Sequence, residues 1–271
     1  MRRRYPETEA TIASKQKQGR GSGEGPAYLP WIFVTDFSSS GQSRRLRSEK
    51  LGDRVVHLLS RGEYWLFLKL EWDPRVVDLR EQFPIDRAKT QEVADKLGIR
   101  HPVHHKTGTV AVMTIDMLAT YQIDGKQKYV AYDVKTREDL TKKRVLAKLE
   151  ITRSALEDWG IPHQMITTGE CTHDIRNLDW LRMGRLRQKE SQPFEKETDY
   201  LASGLEAFIR ASPKDAIVRE VCSLFEYHEN LPKGAGIRLL KLIFLRRRLR
   251  APLDAANILD CKAAELLDQE G

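Results

Sequence analysis

The dipeptide Asp124-Gly125, set between two runs rich in β-branched and aromatic residues, constrains this chain more than any other feature. Residues 110–122 and 126–135 read as strands, and Asp-Gly supplies the two positive-φ positions of a tight hairpin turn. A two-residue turn fixes the register. Paired residues then sum to 249, which sets Asp116 opposite Asp133 (116 + 133 = 249). Directly opposed side chains on an antiparallel pair have Cβ atoms about 5 Å apart. Side chains alternate along a strand, so Lys135 shares the face of Asp133. Two carboxylates and one ammonium fall on a single patch of sheet.

That patch is chemically unusual. Asp is depleted in strands, and opposed like charges are destabilising. Two close carboxylates share a proton or take a cation, and a hard, oxygen-binding ion such as Mg2+ suits them. Such an ion holds a phosphate oxygen and activates water, which is the chemistry of phosphodiester hydrolysis. Lys135 would orient that water or offset charge developing on the phosphate. Two plainer readings stay open on the pattern alone. A one-residue slip would turn one carboxylate to the other face, or one Asp on an exposed edge would form an ordinary salt bridge with Lys135.

Around the hairpin the signals are those of an α/β layout with a mixed sheet. Ser60 and Glu63, ahead of Tyr64, Phe67 and Leu68, have the spacing of a capping box that opens a helix, a structural role for Glu63. Residues 75–83 read as a strand ended by Pro84, followed by a short helix ending near Gly98. Thr136 is expected to cap a helix running to about Trp159, with Leu146, Leu149 and Leu156 on its buried stripe. Gly160 and Pro162 stop it, and residues 163–168 form a final strand. Residues 1–30, with Gly-rich 19–26 at their centre, read as a flexible basic arm, and 31–168 as the catalytic domain. Residues 169–271 read as a helical domain, with helices over 194–211, 216–228 and 237–248 and a turn at 230–234.

Composition narrows the classes. Hydrophobic content of 40% and charged content of 31% describe a soluble globular chain with no apolar run of membrane length and no secretory signal. Three scattered cysteines, Cys171, Cys222 and Cys261, suit a reducing cytosol rather than a disulfide framework. Net charge is 46 − 39 = +7, and it is uneven. Residues 1–50 carry 10 − 5 = +5, and residues 231–250 carry seven Lys or Arg and no acid. Clusters of this kind are either solvated faces or phosphate-holding surfaces of a DNA-binding protein. No G-x-x-x-x-G-K-[ST] occurs, so ATP use would belong to a partner, and no G-x-S-x-G elbow is present. His101, His104 and His105 lack further ligands at a recognisable spacing and read as a loop, and Cys171-Thr172-His173 has no second half for zinc.

The spacing Asp116…Asp133-Val134-Lys135, in a hairpin preceded by a Glu-bearing helix, resembles the PD-(D/E)xK nuclease superfamily. Several segments narrow the likeness to the TnsA family, endonuclease subunits of heteromeric bacterial cut-and-paste transposases. These are Gly19-Arg20-Gly21, Tyr28-Leu29-Pro30-Trp31, Val56-His57-Leu58-Leu59-Ser60, Leu70-Glu71-Trp72-Asp73, Arg80-Glu81-Gln82-Phe83-Pro84 and Lys148-Leu149-Glu150. The resemblance is dense over residues 15–168 and loose afterwards. It implies a restriction-endonuclease-like fold and Mg2+-dependent cleavage (Mn2+ substituting) at the 5′ ends of a transposon. A TnsB-type transposase would cut the 3′ ends, and a TnsC-type ATPase would regulate both. By position, Glu63, Asp116 and Lys135 match the family's catalytic residues. Glu63, Asp116 and Asp133 would hold metal, and Glu150 would approach it unless it lies on a solvated helix face. Asp133 stands where superfamily members carry Asp or Glu and some TnsA proteins carry Gln. Ile115, rather than Pro, precedes Asp116, a departure from the superfamily's first motif.

In the C-terminal domain, residues 216–228, the Pro-Lys-Gly turn and the basic helix resemble a helix-turn-helix or winged-helix module. Arg20, Lys241, Arg246, Arg247, Arg248 and Arg250 are the residues expected to contact DNA or a partner. Two other functional classes fit a basic chain of this kind. One is a non-catalytic subunit bridging DNA and transposase, and the other is a free-standing restriction or repair nuclease. The family would place the protein in the bacterial cytoplasm.

Overall fold

In the computed structural model, described over residues 2–3, 7–38, 43–189 and 195–267, the chain forms two units, Met1–Gly169 and Glu170–Gly271. The first contains, in chain order, β1 (Arg2–Arg3), α1 (Glu9–Lys17), β2 (Phe37–Ser38), β3 (Arg44–Ser48), β4 (Arg54–Leu58), α2 (Arg61–Trp72), β5 (Val76–Pro84), α3 (Arg87–Lys96), β6 (Thr114–Ile123), β7 (Lys126–Thr136), α4 (Lys143–Glu157) and β8 (His163–Thr168). The main sheet has the order β5-β6-β7-β8. Its first two pairings are antiparallel and β7–β8 is parallel, with α4 as the crossover that a parallel pair requires. β1–β2 and β3–β4 are two-stranded antiparallel ribbons. A mixed α/β unit of this kind fits the restriction-endonuclease-like expectation.

The hairpin has the register that its turn dictates. Asp124 and Gly125 have φ of +50° and +74°, and the β6–β7 ladder runs from Ile123–Lys126 to Met117–Tyr132, every pair summing to 249. One apolar cluster gathers Ile115, Leu118 and Ala131 with Val93 and Ala94 of α3 and Ile151, Ala155 and Leu156 of α4. Each aliphatic side chain buried there contributes about 1.5–3 kcal/mol.

The docking of α2 depends on one glycine. Ser60 Oγ accepts the Glu63 N–H at 3.1 Å and starts the helix. A Cβ on Gly62 would lie 2.1 Å from Thr168 Cγ2 and 2.7 Å from Val134 Cγ1. The helix start therefore sits directly on β7 and β8, which brings Glu63 to the acids. Gly62→Ala would gain up to about 1 kcal/mol of helix propensity but lose about 1–3 kcal/mol to overpacking. It is expected to lower the unfolding midpoint by a few degrees, and a raised midpoint in calorimetry would refute the close docking.

Three expectations are corrected, and one ribbon is added. Thr136 does not cap the long helix: it ends β7 and its Oγ accepts the Asp139 N–H at 3.1 Å in the turn that leads into a single 3-10 turn (Asp139–Thr141) before α4 begins at Lys143. Leu146 is exposed, and the buried face of α4 is Leu149, Ile151, Thr152, Ala155 and Leu156. The described part of residues 1–30 is not a loose arm. It holds α1 and a loop that buries Tyr28 to 1% exposure, its OH bonded to the Glu81 carbonyl at 2.9 Å. The ribbon β3–β4 occupies a stretch that carries no recognisable strand pattern in the sequence, and Ser48 Oγ ties it to Glu71 of α2 at 2.7 Å.

The second unit is helical: α5 (His173–Lys189), α6 (Glu195–Ala211), α7 (Val218–His228), α8 (Ala235–Leu245) and α9 (Ala263–Leu266). Leu181, Leu205, Ile209, Val221, Phe225, Leu240 and Phe244 form its buried interior. α7 and α8 are joined through Asn230 and Gly234, both at positive φ, and Glu226 accepts the Gly236 N–H at 2.8 Å. The basic helix is shorter than expected. It ends at Leu245, Arg246 is its C-cap and Arg247 has φ of +58°, so Arg246, Arg247 and Arg248 are not consecutive on a helix. Among the described residues no helix is long and apolar enough to cross a membrane.

Candidate active site

Asp116 and Asp133 meet across β6 and β7 one residue beyond the last ladder pair, and Lys135 lies between their carboxylates. Lys135 Nζ is 3.0 Å from Asp116 Oδ2, 3.1 Å from Asp133 Oδ1 and 3.1 Å from the Val134 carbonyl. Asp116 Oδ2 also accepts the Val134 N–H at 2.7 Å, so its side chain takes the place of a ladder bond. Asp133 is buried to 4% exposure, and its second oxygen lies 2.9 Å from His163 Nε2 on β8. Glu63, at 5% exposure, accepts the Leu59 N–H at 2.8 Å and the Gln82 side-chain amide at 3.3 Å. The box therefore closes on Leu59 rather than Ser60, and Glu63 serves the helix start while facing the acids.

These neighbours set the ionisation. Burial, with the Asp116 charge beside it, raises Glu63 to about 8 against the lowering effect of the Leu59 N–H, Ser60 and Lys135. Burial and the Asp133 charge raise Asp116 to about 6, opposed by Lys135 and the Val134 N–H. Asp133 is also penalised by burial, but His163 and Lys135 outweigh that and hold it below its ordinary value. Burial pulls Lys135 down, and the two aspartates overcome it and carry it well above the usual lysine range. The site thus holds more carboxyls than its one ammonium satisfies.

The donor chemistry fits a hard divalent cation, since two buried carboxyls, Glu63 and Asp133, and the partly buried Asp116 supply oxygen, and a cation offsets the burial and repulsion that raise Glu63 and Asp116. Among the described residues, no three His, Cys, Asp or Glu side chains converge on one point. The reason is visible in the bonding: both aspartates lean on Lys135, and Glu63 leans on Leu59 and Gln82. Glu150 is not brought to this group. It lies on an exposed turn of α4, held by Arg153 at 2.7 Å.

Two side chains here were not visible as site residues in the sequence. His163 becomes one only once β8 is known to pair parallel to β7, because His163 opposes Ala131 and Asp133 lies two residues further on the same face. Gln82 would have followed from the β5–β6 register, in which Phe83 opposes Ile115 and position 82 therefore falls opposite Asp116.

The expected DNA-contacting residues are placed as follows. Arg20 is bound to Asp36 at 2.6 Å and stacks on Phe33. Lys241 donates to the Trp180 carbonyl at 2.8 Å and lies over that indole ring. Arg246 pairs with Asp199, and Arg248 with Glu206 and Ser203. Arg247 and Arg250 have exposed side chains.

Residues 73–168 match the family model described as TnsA-like endonuclease N terminal, a span that includes Asp116, Asp133, Lys135 and His163 but not Glu63. The transposon Tn7 transposition protein TnsA of Escherichia coli is 41% identical over 175 residues, 64% of this chain. The matched stretch spans 63% of that relative's length. Residues 73–168 are therefore similar to the N-terminal endonuclease domain of TnsA-like proteins, and the likeness to TnsA extends beyond them.

Proposed function

We propose that this protein is a metal-dependent DNA endonuclease of a transposase complex. It would hydrolyse the 5′ ends of a transposon to leave 3′-hydroxyl and 5′-phosphate, while a TnsB-type transposase cuts the 3′ ends under a TnsC-type ATPase. The observation that carries this reading is the Asp116–Lys135–Asp133 cluster with Glu63 buried beside it, inside a TnsA-like domain. Glu63, Asp116 and Asp133 would hold Mg2+, or Mn2+ in its place. When bound, such an ion supplies charge neutralisation at the phosphate and a water of lowered pKa.

The chain's own groups do the rest. Lys135, charged at any physiological pH, is a fixed positive charge rather than a base, aimed where negative charge develops on the phosphate. The Val134 N–H orients Asp116, and His163 orients Asp133 by occupying one of its oxygens. The helical unit, with its α7–α8 pair as a helix-turn-helix-like element, would meet DNA or a partner through basic side chains that include the exposed Arg247 and Arg250; Arg20, Lys241, Arg246 and Arg248 also serve the fold.

Strand-specific cleavage of end-labelled transposon-end DNA with Mg2+ tests this, comparing wild type and Asp116→Ala, alone and with the cognate transposase. Partner-dependent 5′-strand cuts are expected, reduced at least about 100-fold in the variant. Wild type that leaves 5′ strands intact while the transposase still cuts 3′ ends would point to a bridging subunit. Cutting without any partner would point to a free-standing nuclease.

A further inference from the structure

The β5–β6 ladder has a gap at the site. Glu81 pairs with Met117 and Phe83 with Ile115, but Gln82, whose partner by register is Asp116 (81 + 117 = 82 + 116 = 198), is skipped. Gln82 is a non-glycine residue with φ of +48° in the middle of a strand, and it is 3% exposed. A bulky side chain rarely adopts that conformation, and it persists where surroundings over-determine it. Here they do. The Gln82 carbonyl accepts the Trp31 N–H at 3.2 Å, its side-chain oxygen accepts from Thr114 Oγ1 at 3.4 Å, and its Nε2 donates to Glu63 Oε2 at 3.3 Å. The backbone twist redirects the amide from the ladder position facing Asp116 to the carboxylate that α2 delivers.

Resting on the reading that Glu63 and Asp116 hold the cation, we propose that Gln82 is a positioning residue: its left-handed backbone aims an amide that fixes Glu63 relative to Asp116 at the edge of the opened ladder. A primary amide suits this role. It bonds a carboxylate without adding charge, whereas an Arg or Lys there would compete with the cation.

Gln82→Asn provides the test, because Asn tolerates positive φ better than Gln yet has an amide one methylene shorter. The full chain would be titrated with Mn2+ by calorimetry, alongside thermal unfolding of the metal-free protein. The expected result is metal affinity about 10-fold weaker, with an unfolding midpoint within about two degrees of wild type. In a Glu63→Gln background the same substitution is expected to change affinity less than twofold, since its effect passes through Glu63. Wild-type affinity in Gln82→Asn overturns the proposal, as does an equal loss in both backgrounds. Asp116→Ala separates the two readings: if it binds Mn2+ like wild type, the metal site itself is misassigned. If it loses binding while Gln82→Asn does not, only the role of Gln82 falls.

Discussion

Replacing Lys135 by alanine is expected to slow 5′-strand cleavage about 10²–10³-fold at saturating Mg2+, with an additional deficit below saturation that is larger at pH 6 than at pH 8. The first part follows from the ammonium lying within 3.1 Å of both aspartates, which fixes a positive charge in a largely dry site. The second follows from Asp116. Its carboxyl is raised to about 6 by burial and Asp133, and Lys135 is the largest influence holding it down. Without the ammonium it rises further, so at pH 6 a divalent ion must displace a proton that is largely gone at pH 8. Single-turnover cleavage across Mg2+ concentration at the two pH values measures both effects. A deficit equal at both would remove Asp116 from the metal site.

Stability carries the same sign. Glu63 is raised from 4.5 to about 8, so the native state keeps a proton that the unfolded chain has lost. The stability this confers is present at low pH and is lost as pH rises through about 8. His57 and His101 lie below their ordinary values and act in the opposite sense, but their effect is complete once pH exceeds about 6.5. The depressed Asp133 matters only in acid. Between about pH 7 and 9 the metal-free midpoint should therefore fall in wild type, and Mg2+ should offset that fall.

The central hairpin was legible because a two-residue Asp-Gly turn leaves one register, and alternation then decides which residues share a face. Glu63 was legible as a cap for a similarly local reason. What escaped depended on pairings across long stretches of chain. His163 reaches Asp133 only through the parallel β7–β8 register, which no turn specifies. β3 reads Arg-Arg-Leu-Arg-Ser, a mostly exposed edge with little apolar alternation. The Gly-rich stretch around residue 23 looked unstructured because its glycines meet conformational needs instead: at Gly23, φ is +87° and a Cβ would lie 2.5 Å from the Ala27 carbonyl oxygen. The Arg246–Arg248 run looked like a phosphate-binding surface because charge counts do not reveal Asp199 and Glu206 on α6 waiting opposite.

The largest expected loss of stability lies away from the acids, in a buried ion pair that holds their supports together. Arg54 Nη1 is 2.8 Å from both oxygens of Glu81, its Nη2 donates to the Leu79 carbonyl, and the His57 N–H donates to Glu81 at 3.0 Å. The two side chains are 4% and 0% exposed. The pair joins β4, which leads into the Ser60 cap, to the residue preceding Gln82. Arg54→Met would leave a buried carboxylate with only backbone N–H donors and no cation, a loss of about 3–5 kcal/mol, or roughly 10 °C or more in a domain of this size. Burial already raises Glu81 even with Arg54 present, so the stranded group would take up a proton and the loss would shrink in acid. Arg54→Met combined with Glu81→Leu is expected to recover most of the stability, because apolar groups of similar volume carry no desolvation cost. If urea denaturation found the single variant as stable as wild type, the pair would not be what fastens β4 to β5. If the double variant were stable but inactive, the pair's role would be to place Gln82 and the Ser60 cap rather than to hold the fold.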